Sequence, residues 1–108
     1  MEGGKTVIRA MKLQGFRISM VDIDKTEKAL RDAVGGKTET INLRDGGFMI
    51  CDMFALPKDK PYNSLASLIA GTGVYGDAII VGADGDGFCD VPDPFLARLN
   101  FPEDYFEQ

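Results

Sequence analysis

After a short polar lead, the chain carries two stretches rich in β-branched and apolar side chains, Thr6 to Leu13 (TVIRAMKL) and Phe16 to Ile23 (FRISMVDI). Gln14-Gly15 lies between them, which predicts two strands joined by a tight hairpin. In the second stretch Phe16, Ile18, Met20 and Asp22 alternate with Arg17, Ser19, Val21 and Ile23, a period of two that favours one buried face. The period then becomes helical. Asp24 can accept hydrogen bonds from the first-turn N–H groups, and Glu27 three residues on completes a pair resembling a capping box. Ala29, Leu30, Ala33 and Val34 share one helical face, and Gly35-Gly36 supplies the left-handed ending, so a helix is expected over 24–35.

Alternation returns in Thr38 to Leu43 and Gly47 to Met53, which flank the hairpin signal Arg44-Asp45-Gly46-Gly47. Phe48 to Met53 is apolar except for Asp52, as expected of a strand covered on both faces. Ala55 to Tyr62, with Pro57, Pro61 and three charges, reads as loop. Asn63 caps a short helix, Ser64 to Ala70, with an apolar stripe of Leu65, Leu68 and Ile69 and a stop at Gly71. Ala78 to Val81 predicts a central strand, Ala83 to Gly87 a turn, and Phe88 to Val91 a short return strand. Asp93 caps a last helix with Pro94 at its first position and Phe95, Leu96 and Leu99 on its apolar side; Pro102 ends it and 103–108 is a fraying tail. The sum is one α+β domain over 1–108: an antiparallel or mixed sheet of about five strands, with two or three helices packed mainly on one face.

Charge narrows the partners. Twelve basic residues face 17 acidic ones for a net charge of −5, and the densest basic cluster is only Lys58 and Lys60 around Asp59. Phosphate neutralisation needs concentrated cations, so this balance argues against a nucleic-acid partner. The absence of any histidine removes the commonest general base and metal ligand. No apolar run reaches membrane-spanning length and no signal-peptide pattern opens the chain, so the expectation is a cytoplasmic protein without a membrane partner. Cys51 and Cys89 form no disulfide framework; an Asp follows each and opposes ionisation, so inert buried thiols are preferred to a nucleophile or redox pair.

Several groupings could carry chemistry. Asp84-Gly85-Asp86-Gly87, followed by Asp90 and Asp93, has the oxygen-rich spacing of a cation loop. Counted from Asp84, however, the fifth and twelfth positions of an EF-hand are Phe88 and Phe95, so a turn built on Asp and Gly is the preferred reading. A metal-dependent protein or enzyme using these aspartates is the alternative. Asp22 and Asp24 could act as paired carboxylates, but Asp24 is expected to cap a helix. Gly71-Thr72-Gly73 follows a helix rather than preceding one, so it is no phosphate loop. Met49, Met53, Phe54, Tyr62 and Tyr75 could line a pocket, though packing is the preferred role. The candidate binding site is where Gly71, Thr72 and Tyr75 would meet the turn of Asp84 and Asp86, with no catalytic residue, metal or cofactor expected.

The order of elements from about Val21 onward resembles a family known as domain of unknown function 3846. The resemblance rests on the helix ending Val34-Gly35-Gly36, a hairpin ending near Cys51, then Leu56-Pro57, Ile69-Ala70-Gly71-Thr72, Ile79-Ile80-Val81-Gly82, and Gly87-Phe88-Cys89 leading into a capped helix. The chain departs from the family pattern in the loop Lys58 to Asn63, where relatives carry an Asn-rich charged stretch, and in the insertion Gly73 to Asp77. The resemblance implies no established activity. It does imply phage, plasmid and gut-bacterial carriers with neighbouring anti-restriction genes, hence a counter-defence setting. The functional expectation is a non-enzymatic binding module of that kind, taking a protein partner or a small ligand. A homodimer joined through a strand edge or apolar patch is a further alternative.

Overall fold

In the computed structural model, residues 6–43, 46–85 and 87–93 are described. The first two apolar stretches form β1 (Val7–Gln14) and β2 (Arg17–Asp24), paired antiparallel around a turn in which Gly15 has φ +65°. Then follow α1 (Glu27–Val34), β3 (Thr38–Asn42), β4 (Phe48–Asp52), α2 (Ser64–Ala70), β5 (Ala78–Asp84) and β6 (Gly87–Cys89). Among the described residues the sheet has six strands, all paired antiparallel, in the order β2-β1-β5-β4-β3 with β6 on β5. The α+β class and the central place of the Ala78 strand stand; the strand count rises from about five to six.

β6 is present because β1 and β5 part company. They pair only over Met11–Leu13 and Ala78–Ile80. Beyond that, β6 takes the flank of Gly82 to Asp84, while Arg9 donates its N–H to the Asp90 carboxylate and accepts from the Val91 N–H, both at 2.9 Å. Gly82 is required there, since a Cβ would stand 2.5 Å from the Asp90 carbonyl oxygen.

Strand parity splits the core into two layers. Met11, Leu13, Met49, Cys51, Ala78 and Ile80 pack with Leu65 and Ala66 of α2, whereas Ile8, Ala10, Ile50, Ile79 and Val81 pack with Leu30 and Val34 of α1. The two helices therefore cover opposite faces of the sheet, not mainly one. The reason is visible in β4 and β5, whose unbroken apolar runs present buried side chains on both sides and need a cover on each.

Three local expectations change. The cap of α1 is Thr26, whose hydroxyl accepts from the Ala29 N–H at 3.1 Å, because Asp24 is still paired with Val7 at the end of β2. Leu68 is 77 % exposed, so the buried side of α2 is Leu65, Ala66 and Ser67. Cys89 is only half-buried, while Cys51 is buried as expected. The turn residues Arg44 and Asp45, the last helix beyond Asp93 and the tail 103–108 lie outside the described residues.

Candidate functional site

Antiparallel register places the β1–β2 turn, the end of β4, the start of β5 and the C-terminus of α1 at one end of the sheet. That end is organised by Asp52, the polar exception in an apolar strand. Its side chain is 0 % exposed and lies 2.9 Å from Lys58 Nζ and 2.7 Å from Lys60 Nζ. Its other oxygen accepts from the Phe54 N–H at 2.9 Å. The two ammonium groups reach further: Lys58 donates to the Gly35 carbonyl at 3.2 Å and Lys60 to the Val34 carbonyl at 3.0 Å. Those are orphan acceptors at the end of α1, where the helix dipole also favours cations.

Burial on its own would raise the Asp52 pKa. The hydrogen bonds from Lys58 and Lys60, with the Phe54 N–H and the Lys60 charge, outweigh it and hold the carboxyl at about 2. Glycines make room for the clamp. A Cβ on Gly36 would stand 2.5 Å from Lys58 Nζ, and one on Gly76 2.8 Å from Lys60 Cδ. Lys60 thus runs as a bolt from Gly76 to the end of α1.

What the clamp holds is a loop that shows apolar side chains to solvent. Among the described residues the exposed large apolar side chains are Val7, Phe16, Met53, Phe54, Leu56, Tyr62 and Leu68. Met53, Phe54 and Leu56 stand on the clamped loop directly after Asp52, and Tyr62 follows it. Phe16, 76 % exposed, is in the β1–β2 turn at the same end, and α2 docks there through the Leu65 N–H to the Gly15 carbonyl. Val7 belongs to the opposite end of β1, and Leu68 is exposed on α2.

A second polar anchor sits beside the first. Asn63, 1 % exposed, donates to the carbonyls of Leu13 at 2.9 Å and Gly76 at 2.8 Å, and its Oδ1 accepts from the Ala66 N–H at 3.1 Å. One neutral side chain thereby caps α2 and ties it to β1 and to the loop before β5.

The residues singled out from the sequence divide between the two ends. Gly71 and Thr72 close α2, and Tyr75 bridges to Tyr62 with the rings edge to face at 5.4 Å. Asp84 is at the far end of β5, about 20 Å away at the rise of an extended strand. The structure does not bring Tyr75 and Asp84 together; Asp86 lies outside the described residues. Asp90 accepts from the β1 backbone at Arg9, a structural use, and no group of three His, Cys, Asp or Glu side chains placed to hold a metal occurs among the described residues. Cys51 lies opposite Ala78 and Cys89 opposite Gly82, which separates them by about four residues, or roughly 13 Å, along β5, beyond disulfide reach. Burial, with Glu39 and Asp52 nearby, pushes the Cys51 thiol up to about 11.

The Asp52 clamp and the apolar loop escaped sequence reasoning, although a signal was present. A carboxylate inside a strand covered on both faces requires a cation, and Lys58 and Lys60 are the next cations along the chain.

The arrangement is that of a small antiparallel α+β scaffold whose loops are fixed at one end. The chain belongs to the family described as domain of unknown function (DUF3846), whose model matches residues 8–101. No curated protein and no solved structure matches it. No helix among the described residues is long and apolar enough to cross a membrane.

Proposed function

We propose that the chain is a non-enzymatic binding module that docks on a protein partner through the clamped loop end. The observation that carries this reading is the concentration of exposed apolar side chains on a loop fixed by a buried aspartate and its two partly exposed lysines. Exposed apolar patches on small proteins mark interaction surfaces, and a surface held rigid before binding loses less entropy on docking. Met53, Phe54 and Leu56 are the anchors, with Tyr62 beside them; aromatic anchors commonly dominate interface energetics. The mobile-element and counter-defence setting implied by the family resemblance, and a cytoplasmic location, belong to the same proposal.

The test is a double variant, Phe54→Ser with Leu56→Ser, compared with the native chain in pull-downs from the native host. Both side chains are exposed, so the melting temperature is expected to stay within about 4 °C, given that each surface substitution rarely moves stability by more than ~0.5 kcal/mol. A specific partner captured by the native chain and lost by the variant supports the reading. A partner retained at full strength, or turnover of a substrate by the purified protein, overturns it.

A further inference from the structure

We infer that the β3 edge is a second, separate binding site, which takes an extended peptide segment carrying a carboxylate by adding it to the sheet as a strand. Among the described residues, β3 is the last strand on its side of the sheet. Its register with β4, together with the bonds from the Met53 N–H to the Lys37 carbonyl and from the Leu43 N–H to the Gly47 carbonyl, turns alternate residues toward β4. Thr38, Thr40 and Asn42 are the intervening ones, so their N–H and C=O groups point away from the sheet. An alternating row of donors and acceptors at that spacing is matched by another extended backbone.

The side chains of Thr38, Thr40 and Asn42 share the parity of Ile50, so they stand on the α1 face of the sheet. Beside them a groove follows the flank of α1. One part, of about 580 Å³, is bordered by Glu27, Arg31, Asp32, Gly35, Gly36 and Lys37. Another, of about 370 Å³, also includes Glu27 and reaches Thr38, with Leu30 and Phe88 in its floor. A strand added to β3 would direct alternate side chains toward this groove.

The charges choose among such strands. Asp32 is paired with Lys28 at 2.8 Å, but Arg31 and Lys37 form no ion pair among the described residues. Both stand at the end of the groove where β3 begins, so a carboxylate on the incoming segment has two cations within reach. Glu27 borders both parts of the groove and disfavours a second acid where they join. The site uses none of the exposed apolar side chains and shares only the backbone of Gly35 and Gly36 with the Asp52 clamp, so variants of Arg31 and Lys37 test it apart from the proposed docking end.

The test uses the full chain and a fluorescein-labelled octapeptide of alternating valine and threonine with a central glutamate. Saturable binding is expected, accompanied by shifts of the Thr38, Thr40 and Asn42 amide signals in a nitrogen-15 spectrum. Lysine in place of the glutamate should weaken binding at least tenfold, and the Arg31→Glu, Lys37→Glu variant should reverse that preference. N-methylation of one alternate set of peptide amides should abolish binding and of the other set leave it, a result that does not depend on any protein variant folding. Thr40→Pro, which removes an N–H not used by β4, should also abolish it. The inference is overturned by no saturable binding at millimolar peptide, by indifference to N-methylation, or by a native dimer in which these three amides are already protected.

Discussion

Asp52 and Asn63 each fasten one helix to the same end of the sheet, and they use opposite electrostatics. Asp52 is a buried anion that draws two lysines onto the last carbonyls of α1. Asn63 is neutral and binds the first turn of α2, the end of β1 and the Gly76 carbonyl with its own amide. Both leave no buried polar side-chain atom without a partner among the described residues. The difference is in what happens when one member is removed. An amide network loses neutral hydrogen bonds, whereas an ion cluster loses charge-assisted ones, which are roughly twice as strong.

The largest effect is therefore expected at Asp52. Asp52→Ala removes the acceptor of two partly exposed ammonium groups and of the Phe54 N–H, and should cost about 3–4 kcal/mol from two charge-assisted hydrogen bonds and one backbone bond. Urea unfolding of the two proteins measures it. Asn63→Ala removes the α2 cap and the side-chain donor of the Leu13 and Gly76 carbonyls; about 2–3 kcal/mol is expected from a lost cap plus lost buried hydrogen bonds. Equal losses at the two positions would show that charge is not what distinguishes them.

Titration separates the anchors more sharply. The folded Asp52 carboxyl is held at about 2, below its ordinary 3.8. A lowered folded pKa means that the unfolded chain takes up the proton first, so the stabilisation is complete above pH 3.8 and fades as pH falls toward 2. The shift corresponds to roughly 2 kcal/mol. Unfolding free energy measured from pH 5 to pH 2 should fall by that much more in the native chain than in Asp52→Asn. Asn63→Ala should keep the native slope, since it has no proton to exchange.

These anchors also show what could be read from the chain and what could not. Asn63 was legible because a cap is local: an Asn before an apolar run, with Gly71 closing the helix, is sufficient. Thr26 was missed for Asp24 because the extra length of β2, set by its pairing with β1, moved the helix start by two residues. The division of the helices between faces was implicit in the doubly buried runs of β4 and β5, but which helix covers which face depends on crossings that period alone does not encode. The proposed meeting of Tyr75 with Asp84 failed for a simpler reason. Both are loop-end residues, yet they sit at opposite ends of a single strand.

A smaller loss is expected where the backbone makes room for the charged anchor. Gly76 has φ +77° and would bring a Cβ within 2.8 Å of Lys60 Cδ. Gly76→Ala should cost about 1–2 kcal/mol from backbone strain and a displaced lysine stem. Gly71, with φ +74° and open space around its Cα, should lose only the backbone part when changed to Ala. Thermal melts of the two variants resolve the contribution of the lysine from that of the turn.

The smallest effect, and the most direct report on the Asp52 charge, is at the neighbouring thiol. Burial raises the Cys51 pKa to about 11, with Glu39 and then Asp52 adding to it. A thiol this protonated and buried should react with iodoacetamide at pH 8 only as fast as the chain opens. Asp52→Asn removes one of the negative charges while keeping an acceptor for the Phe54 N–H. The thiol pKa should therefore fall, by less than burial raised it, because burial is the larger cause. Titration of the Cys51 thiolate by its ultraviolet absorbance, in a chain with Cys89→Ser, reads this directly. A rise instead of a fall would mean that the amide variant has drawn Lys58 and Lys60 away from the sheet end, and that their positive charge had been offsetting Asp52 at the thiol all along.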